Sequence, residues 1–342
     1  KQDLAGYTGY WEEPLTGQFG SYTIHANRTW SQGAVLPMTL QLLDGIDLRA
    51  MGRDSPRTVH TVIQAIELAM ADREAYFGDP EFVDVPVEGL LSRNYAALRR
   101  TLLTPDRAFG AMPPPGNPMG PDGLGAVRED ASERLDAKSQ GRSADPRRMS
   151  DTSYLAVTDR WGNSISLSPS DFPESPMVPG TGLCLGIRMT QFRLDPEHPA
   201  SLEPGKRPRV TPNAVMVTRD GELIMTFGTP EGDQQTQALT QVFLNRFVFG
   251  MDIQDAIDAP RFRSKNFPDS FSPHEYTPGR VVMERGLYQE VGEELESMGY
   301  EIEVVEDWGY DMGAVCAIVR DRKTGGLVVG ADPRQESWAD GR

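Results

Sequence analysis

The sequence predicts an α+β protein in which largely antiparallel sheets are covered by helices. Three segments alternate strand, turn and strand, near residues 152–168, 214–228 and 314–332. Alternating polarity around a turn such as Arg-Asp-Gly is typical of a β-hairpin. Amphipathic helical segments lie before and between the hairpins, and this order favours antiparallel sheets over a parallel, doubly wound sheet.

The first well-marked helix covers residues 55–77. Ser55 is a favourable N-cap, Pro56 suits the first helical position, and apolar residues recur along one stripe. Gly-Asp-Pro at 78–80 ends this helix. A second helix with an apolar inner face is predicted over 92–103.

The composition changes between about residues 104 and 150, which are rich in Pro, Gly, Asp and Arg. Apolar residues recur there with neither the helical nor the strand period, so we expect a loop or a disordered linker. The first hairpin begins at Thr152, directly after this stretch.

Further helices are predicted over 234–249, 253–258 and 286–298, the last followed by Gly299 as a C′ glycine. The glycine-rich stretch 180–186 is interpreted as a turn that opens a strand. A dinucleotide-binding loop would instead lead from a strand into a helix.

Composition and charge exclude several classes of function. The 342 residues are 38% hydrophobic, and no apolar run is long enough to span a membrane. The formal net charge is −16, without a basic cluster, so nucleic acid is not an expected partner. No cofactor is implied and no metal site is predicted. The two cysteines, Cys184 and Cys316, are interpreted as buried thiols. The four histidines occur singly and without the spacing of metal ligands: His25, His60, His198 and His274.

The opening residues contain neither an initiator Met nor an apolar signal core. We therefore expect the chain to begin within a longer protein, with any targeting signal upstream of Lys1. The compartment, whether cytoplasmic or periplasmic and extracellular, is left open.

Thr152 is a candidate nucleophile at the junction between the linker and the first strand. The sequence offers no G-x-S-x-G turn and no Ser, His and Asp arrangement to activate a hydroxyl. A threonine at a chain start could use its own α-amino group, whose ordinary pKa is about 7.7 to 8.0. That chemistry requires a cut before Thr152, and an ordinary strand-forming threonine remains the alternative.

A series of segments resembles, in order and over nearly the whole length, the gamma-glutamyltransferase family of N-terminal-nucleophile hydrolases. The segments are "MADREAYFGDPEFVDVPVEGLLS", "DTSYLAVTDRWGNSIS", "VPGTGLCLG", "FRLDPEHPASLEPGKRP", "FGTPEGDQQTQ", "FGMDIQDAIDAPRF" and "GADPRQESWADG". The resemblance implies a four-layer αββα sandwich and a precursor that cuts itself into two subunits. The cut would fall between Asp151 and Thr152, making 1–151 the end of the large subunit and 152–342 the small subunit. The beginning of the large subunit would precede Lys1.

The resemblance also implies catalytic roles. Thr152 matches the nucleophile, Ser170 matches a second hydroxyl that bonds to it, and Tyr154 replaces the family's usual His, a position that varies outside the glutathione-using members. The backbone amides of Glu231 and Gly232 match the family's Gly-Gly oxyanion hole. Glu231 would bring negative charge near the developing oxyanion if its carboxylate pointed inward.

The substrate pocket departs most from the family. Phe172, Arg188 and Gln191 stand where the glutathione-using enzymes hold an α-amino group with Asn, Gln and Asp. Val210 and Thr211 replace a pair of serines that binds the carboxylate. Because Arg188 introduces positive charge and the acid is lost, an acidic amide without an ammonium group is the better expected substrate.

The leading hypothesis is a self-cleaving threonine amidohydrolase or acyltransferase acting on a γ-glutamyl or related amide, with water or an amine as acceptor. One alternative is a diverged amidase for small carboxylated amides, with Arg188 binding the carboxylate. Another is an uncleaved, non-catalytic homologue. The two fragments are each other's expected partners, and a homodimer of heterodimers is left open.

Overall fold

The computed structural model describes residues 5–6, 8–120, 152–170, 177–182 and 186–341. The strands are β1 (Leu15–Phe19), β2 (Tyr22–Ala26), β3 (Leu155–Thr158), β4 (Ser164–Leu167), β5 (Val215–Arg219), β6 (Glu222–Gly228), β7 (Phe262–Ser264), β8 (Arg280–Glu284), β9 (Glu301–Val305), β10 (Cys316–Arg320) and β11 (Leu327–Ala331). The helices are α1 (Val35–Leu43), α2 (Leu48–Met51), α3 (Pro56–Tyr76), α4 (Val87–Leu90), α5 (Arg93–Arg100), α6 (Gln234–Phe247), α7 (Ile253–Asp258) and α8 (Arg285–Ser297). None of the helices in these ranges is both long and apolar enough to cross a membrane.

The central element is a six-stranded antiparallel sheet in the order β1-β2-β5-β6-β10-β11. Helix α1 packs against β1, α3, α5 and α6, and every one of its nine residues is buried. A helix that is apolar on all sides belongs inside a protein. The core therefore lies between this sheet and its helices, and the predicted α+β class is confirmed.

A separate hairpin of β3 and β4 contacts strands β6 and β10 of the large sheet. Its register pairs Leu155 with Leu167 and Val157 with Ile165. These four apolar side chains are between 42% and 55% exposed, whereas the alternate small and polar residues are half-buried. Within the described ranges, the hairpin thus turns its apolar side away from the six-stranded sheet.

A third sheet differs from the antiparallel prediction. Strand β8 pairs antiparallel with β7 but parallel with β9. Helix α8 connects β8 to β9, because a parallel pair needs a long crossover. The prediction placed the helix correctly but did not find the short strands on either side of it.

The helix termini follow the sequence signals. Ser55 accepts a hydrogen bond from Thr58 N at 3.1 Å, and Ser92 accepts one from Tyr95 N at 3.1 Å. Helix α5 ends at Arg100, three residues earlier than predicted. Gly299 has a φ of +101°, which suits a residue just past a helix end.

Two predicted loops are only partly within the described residues. Residues 104–120 contain no helix or strand, as expected, and the remainder of the 104–150 linker lies outside the description. The glycine-rich stretch makes a turn near Gly180 and Gly182, both with positive φ. Residues 183–185, where the predicted strand would begin, lie outside the described residues, and a short 3₁₀ helix is present at Arg188–Gln191.

Candidate active site

The two ends of the β3–β4 hairpin bring Thr152 and Ser170 together. Thr152 precedes β3 and Ser170 follows β4, so antiparallel pairing places them side by side, and Ser153 N donates to Pro169 O at 2.8 Å. The Thr152 Oγ1 and Ser170 Oγ atoms lie 2.7 Å apart. Thr152 is 8% exposed, so its hydroxyl is nearly withdrawn from solvent. We call these two residues the hydroxyl pair.

The Arg188 guanidinium adjoins the hydroxyl pair. Its Nη2 donates to Ser170 Oγ at 2.6 Å, and its Nη1 donates to Gln191 Oε1 at 3.2 Å. The group also lies over the Phe271 ring, 5.5 Å from the centroid. A cation one hydroxyl away from Thr152 Oγ1 favours negative charge that develops on that oxygen.

A chain of side-chain bonds continues from Gln191 to the start of α6. Gln191 Nε2 donates to Thr211 Oγ1 at 3.3 Å. Gln32 Nε2 then bridges two carbonyl oxygens, Thr211 O at 2.9 Å and Gly232 O at 2.8 Å. Gln32, Gln191 and Thr211 are fully buried. The network thus joins residues predicted separately from the sequence, and Gln32 is a member that the prediction missed.

The turn at 229–233 connects the end of β6 to the start of α6. Glu231 has a φ of +85° and Gly232 a φ of +48°, both in the left-handed region. The first amides of a helix have no partner within that helix, and in the described part of the chain the Gly232 N–H donates no hydrogen bond. The turn therefore offers an N–H group beside a helix N-terminus, where a developing negative charge is stabilised.

Buried charges hold this turn in place. Asp233 forms an ion pair with Arg73, and it accepts bonds from Ser270 N at 2.7 Å and Ser270 Oγ at 2.6 Å. Arg73 also donates to Gln32 Oε1 at 3.0 Å. Because removing one partner of a buried pair leaves an uncompensated charge, these contacts restrict the turn strongly.

A second acid, Glu74, ties Arg73 to two further guanidinium groups. Its carboxylate lies 2.8 Å from Arg73, 2.6 Å from Arg193 and 3.0 Å from Arg209. Burial alone would raise the pKa of Glu74, but the three cations hold it well below its ordinary value. The sequence pattern did not indicate this cluster.

Tyr154 fixes the position of β3 on the large sheet. Its ring lies so close to Gly228 that a Cβ atom added to the glycine would be 2.2 Å from the ring. The Tyr154 hydroxyl lies 2.7 Å from Ser166 Oγ, and burial raises the pKa of that hydroxyl. The contact brings the start of β3, and with it Thr152, beside the strand that leads into the 229–233 turn.

A cleft of about 400 Å³ opens next to the hydroxyl pair. It is lined by Asn27, Trp30, Ser166, Leu167, Ser168, Ser170, Arg188, Val210, Pro212 and Ala214. Arg188 is the charged residue among these lining residues, which include no acid. The cleft therefore suits a small ligand with an anionic group and an apolar body.

The remaining predicted site residues are placed as follows. Asp151, Phe172 and Cys184 lie outside the described residues. The backbone of Val210 pairs with the segment around Gln32: Val210 N donates to Trp30 O at 2.9 Å, and Val210 O accepts from Gln32 N at 3.0 Å. Cys316 on β10 is half-buried. Over the ranges that the structure covers, no three His, Cys, Asp or Glu residues are grouped to hold a metal ion.

The helix-covered antiparallel sheet with its stacked hairpin is an α+β fold, and solved structures similar to it, such as a cephalosporin acylase, belong to the N-terminal-nucleophile hydrolase class. The family model for gamma-glutamyltranspeptidase matches residues 1–341. The chain belongs to the gamma-glutamyltranspeptidase family.

Relatives with known names agree with this assignment. The glutathione hydrolase-like YwrD proenzyme of Bacillus subtilis is 29% identical over 99% of this chain and 58% of its own length. The cephalosporin acylase structure from Bacillus halodurans has a TM-score of 0.80 and 29% identity, covering 100% of this chain and 55% of the acylase. The structure of LmbA2991HD has a TM-score of 0.85 and 37% identity, and the match covers 100% of this chain and 57% of the LmbA2991HD chain. The chain thus spans a little over half the length of the relatives it matches.

Proposed function

We propose that the protein is a self-processing amidohydrolase or acyltransferase in which Thr152 is the nucleophile. The observation that carries this proposal is the contact of 2.7 Å between Thr152 Oγ1 and Ser170 Oγ, with the Arg188 guanidinium bonded to the same serine. The names of its relatives, which include hydrolase and acylase proenzymes, support the same chemistry.

In the proposed reaction, cleavage between Asp151 and Thr152 first releases the α-amino group of Thr152. That amine takes the proton of the Thr152 hydroxyl while Oγ1 attacks the carbonyl carbon of the substrate amide. The oxyanion of the tetrahedral intermediate is stabilised by the N–H groups of Glu231 and Gly232. The carbon–nitrogen bond then breaks, and the leaving amine takes a proton from the α-ammonium group of Thr152. The acyl group remains as an ester on Thr152 Oγ1.

The resulting ester on Thr152 is resolved by a second acceptor. Water attacks the ester carbonyl and gives a free acid, or an amine attacks and gives a new amide. In both cases the α-amino group of Thr152 removes the acceptor's proton and returns a proton to Oγ1. Ser170 donates to or accepts from Oγ1 throughout and keeps it oriented, while Arg188 holds Ser170.

Mass spectrometry of the complete protein tests the nucleophile. We expect wild type to yield a fragment beginning at Thr152, and Thr152→Ala to remain one chain without amide hydrolysis. Thr158→Ala is a matched control, because Thr158 lies on the same hairpin and bonds only to Ser164 Oγ among the described side chains. It should cut and react like wild type. An intact wild-type chain after long incubation would instead favour the non-catalytic homologue.

For the substrate, we propose an amide whose acyl group carries a carboxylate and lacks an ammonium group. Arg188 is the charged residue of the cleft, and a guanidinium binds a carboxylate strongly but repels an ammonium group. This favours a small carboxylated amide over a γ-glutamyl compound.

Two anilides that differ by one group separate these substrates. Glutaryl anilide has the carbon skeleton of γ-glutamyl anilide without its α-ammonium group. We expect a higher kcat/KM for the glutaryl compound, and we expect Arg188→Leu to reduce that preference about tenfold or more. Stronger turnover of the γ-glutamyl compound would contradict the role given to Arg188.

A further inference from the structure

Glu231 occupies a backbone conformation that favours glycine. Its φ of +85° lies in the left-handed region, and the next residue, Gly232, is also left-handed. A glycine here would carry no side chain, whereas Glu231 places a carboxylate on the turn that supplies the proposed oxyanion donors. The direction of that carboxylate therefore matters for the chemistry.

Gln335 holds the Glu231 carboxylate. Its Nε2 donates to Glu231 Oε1 at 2.7 Å and to Tyr310 O at 3.1 Å. The amide thus connects the turn to the 3₁₀ helix Tyr310–Met312. Both Glu231 and Gln335 are half-buried, so the bond is partly protected from water.

The backbone that presents Gln335 is itself anchored in the core. The preceding residue, Arg334, is 4% exposed and forms an ion pair with Glu284 at 2.6 Å. Asp332 accepts from Arg334 Nη1 at 3.1 Å and from Val315 N at 2.9 Å. Gln335 therefore extends from a fixed support, as a residue that orients another side chain should.

We propose that Gln335 is a positioning residue that keeps the Glu231 carboxylate out of the oxyanion site. The inference rests on the proposed function, in which the Glu231 and Gly232 amides bind the oxyanion. A carboxylate turned toward that site would repel the developing negative charge and occupy the donors. The hydrogen bond from Gln335 fixes it toward Tyr310 instead.

The test compares Gln335→Leu in two backgrounds of the complete protein. In the wild-type background we expect kcat to fall about tenfold, which corresponds to moderate charge repulsion at a protein surface, with KM little changed. In the Glu231→Gly background the carboxylate is absent. There, Gln335→Leu should change kcat less than twofold. Glu336→Gln, an exposed neighbour, is the matched control and should react like wild type.

The outcomes separate the possible roles of Gln335. An equal loss of kcat in both backgrounds would show that Gln335 acts only through its bond to Tyr310, and would overturn the inference. An unchanged kcat for Gln335→Leu in the wild-type background would overturn it as well. Failure of the proposed function would be seen in a separate measurement. In that case amide hydrolysis by wild type would be absent or would not depend on Thr152, and the role of Gln335 would be refuted together with the proposed function.

Discussion

Glu67 is a carboxylic acid enclosed in the core, on the buried side of α3. It is fully buried, and it accepts bonds from Ser264 Oγ at 2.7 Å and Asn266 Nδ2 at 3.0 Å. Burial raises the pKa of Glu67 from 4.5 to about 7, although both hydrogen bonds act in the opposite direction. The folded protein therefore keeps a proton that the unfolded chain releases.

This difference predicts how stability depends on pH. Between about pH 4.5 and 7 the unfolded state binds fewer protons at this site, so the free energy of unfolding falls as the pH rises. The contribution of Glu67 to that fall is on the order of 3 kcal/mol, and it levels off above pH 7. Glu67→Gln removes the titration. We expect the variant to be more stable than wild type at pH 8 and similar at pH 4.5.

Urea unfolding at pH 4.5, 6 and 8 measures the effect. The exposed Glu293→Gln is the control and should retain the pH dependence of wild type. The interpretation fails if Glu67→Gln and wild type lose stability in parallel over this range.

At the scale of elements, the site depends on how the β3–β4 hairpin is seated on the large sheet. Tyr154 lies directly on Gly228, the last residue of β6, and the lack of a side chain at Gly228 makes that approach sterically acceptable. Since Thr152 is two residues before Tyr154, a shift of the ring moves the candidate nucleophile. The packing of one aromatic ring thus sets the distance between the hairpin and the 229–233 turn.

Gly228→Ala tests this packing. The added methyl would overlap the Tyr154 ring, so we expect a loss of about 1 to 3 kcal/mol in stability and a large loss of self-cleavage. Replacing Tyr154 with Ala removes the clashing ring, so Gly228→Ala should cost less stability in the Tyr154→Ala background than in wild type. Gly9→Ala is a matched control, because no atom lies within 4 Å of its added Cβ. A fully active Gly228→Ala would contradict the argument.

The sequence predicted those elements whose signals are local. The hairpin of β5 and β6 has alternating side chains and an Asp220-Gly221 turn with both φ values positive, which is the typical two-residue connection. The β8–β9 pair could not be predicted in this way. Its two short strands are separated by α8, and a strand's partner and direction depend on distant parts of the chain.

At the scale of the whole molecule, the candidate site draws on distant parts of the chain. Thr152 and Ser170 flank one hairpin, so their proximity follows from a local signal in the sequence. Gln32 and Arg73 reach the 229–233 turn from positions more than 150 residues earlier. Gln32 lies in none of the segments that resemble the family, and Arg73 lies in one of them without a predicted role. A buried amide or guanidinium that holds a backbone turn is defined by the fold and not by sequence spacing.

The same long-range contacts predict the behaviour of a processed protein. Strand β2 pairs with β5, Gln32 bonds to Gly232, and Arg73 pairs with Asp233, so the regions before and after Thr152 share one core. After a cut at Thr152 we expect both fragments to elute together in native gel filtration and to separate only in denaturant. Thr152→Ala, uncut, should elute at the same volume. Separate native peaks would contradict this prediction.

The pairing of β2 with β5 also determines the molecularity of folding. While the chain is continuous, unfolding and refolding are first-order events whose midpoint does not depend on protein concentration. Once the chain is cut, the sheet becomes a heterodimeric ladder, and its strands separate into two molecules that must meet again. Each tenfold dilution would then cost about 1.4 kcal/mol of apparent stability. If the chain is cut at Thr152, we therefore expect it to refold less completely from dilute solution than the uncut Thr152→Ala variant.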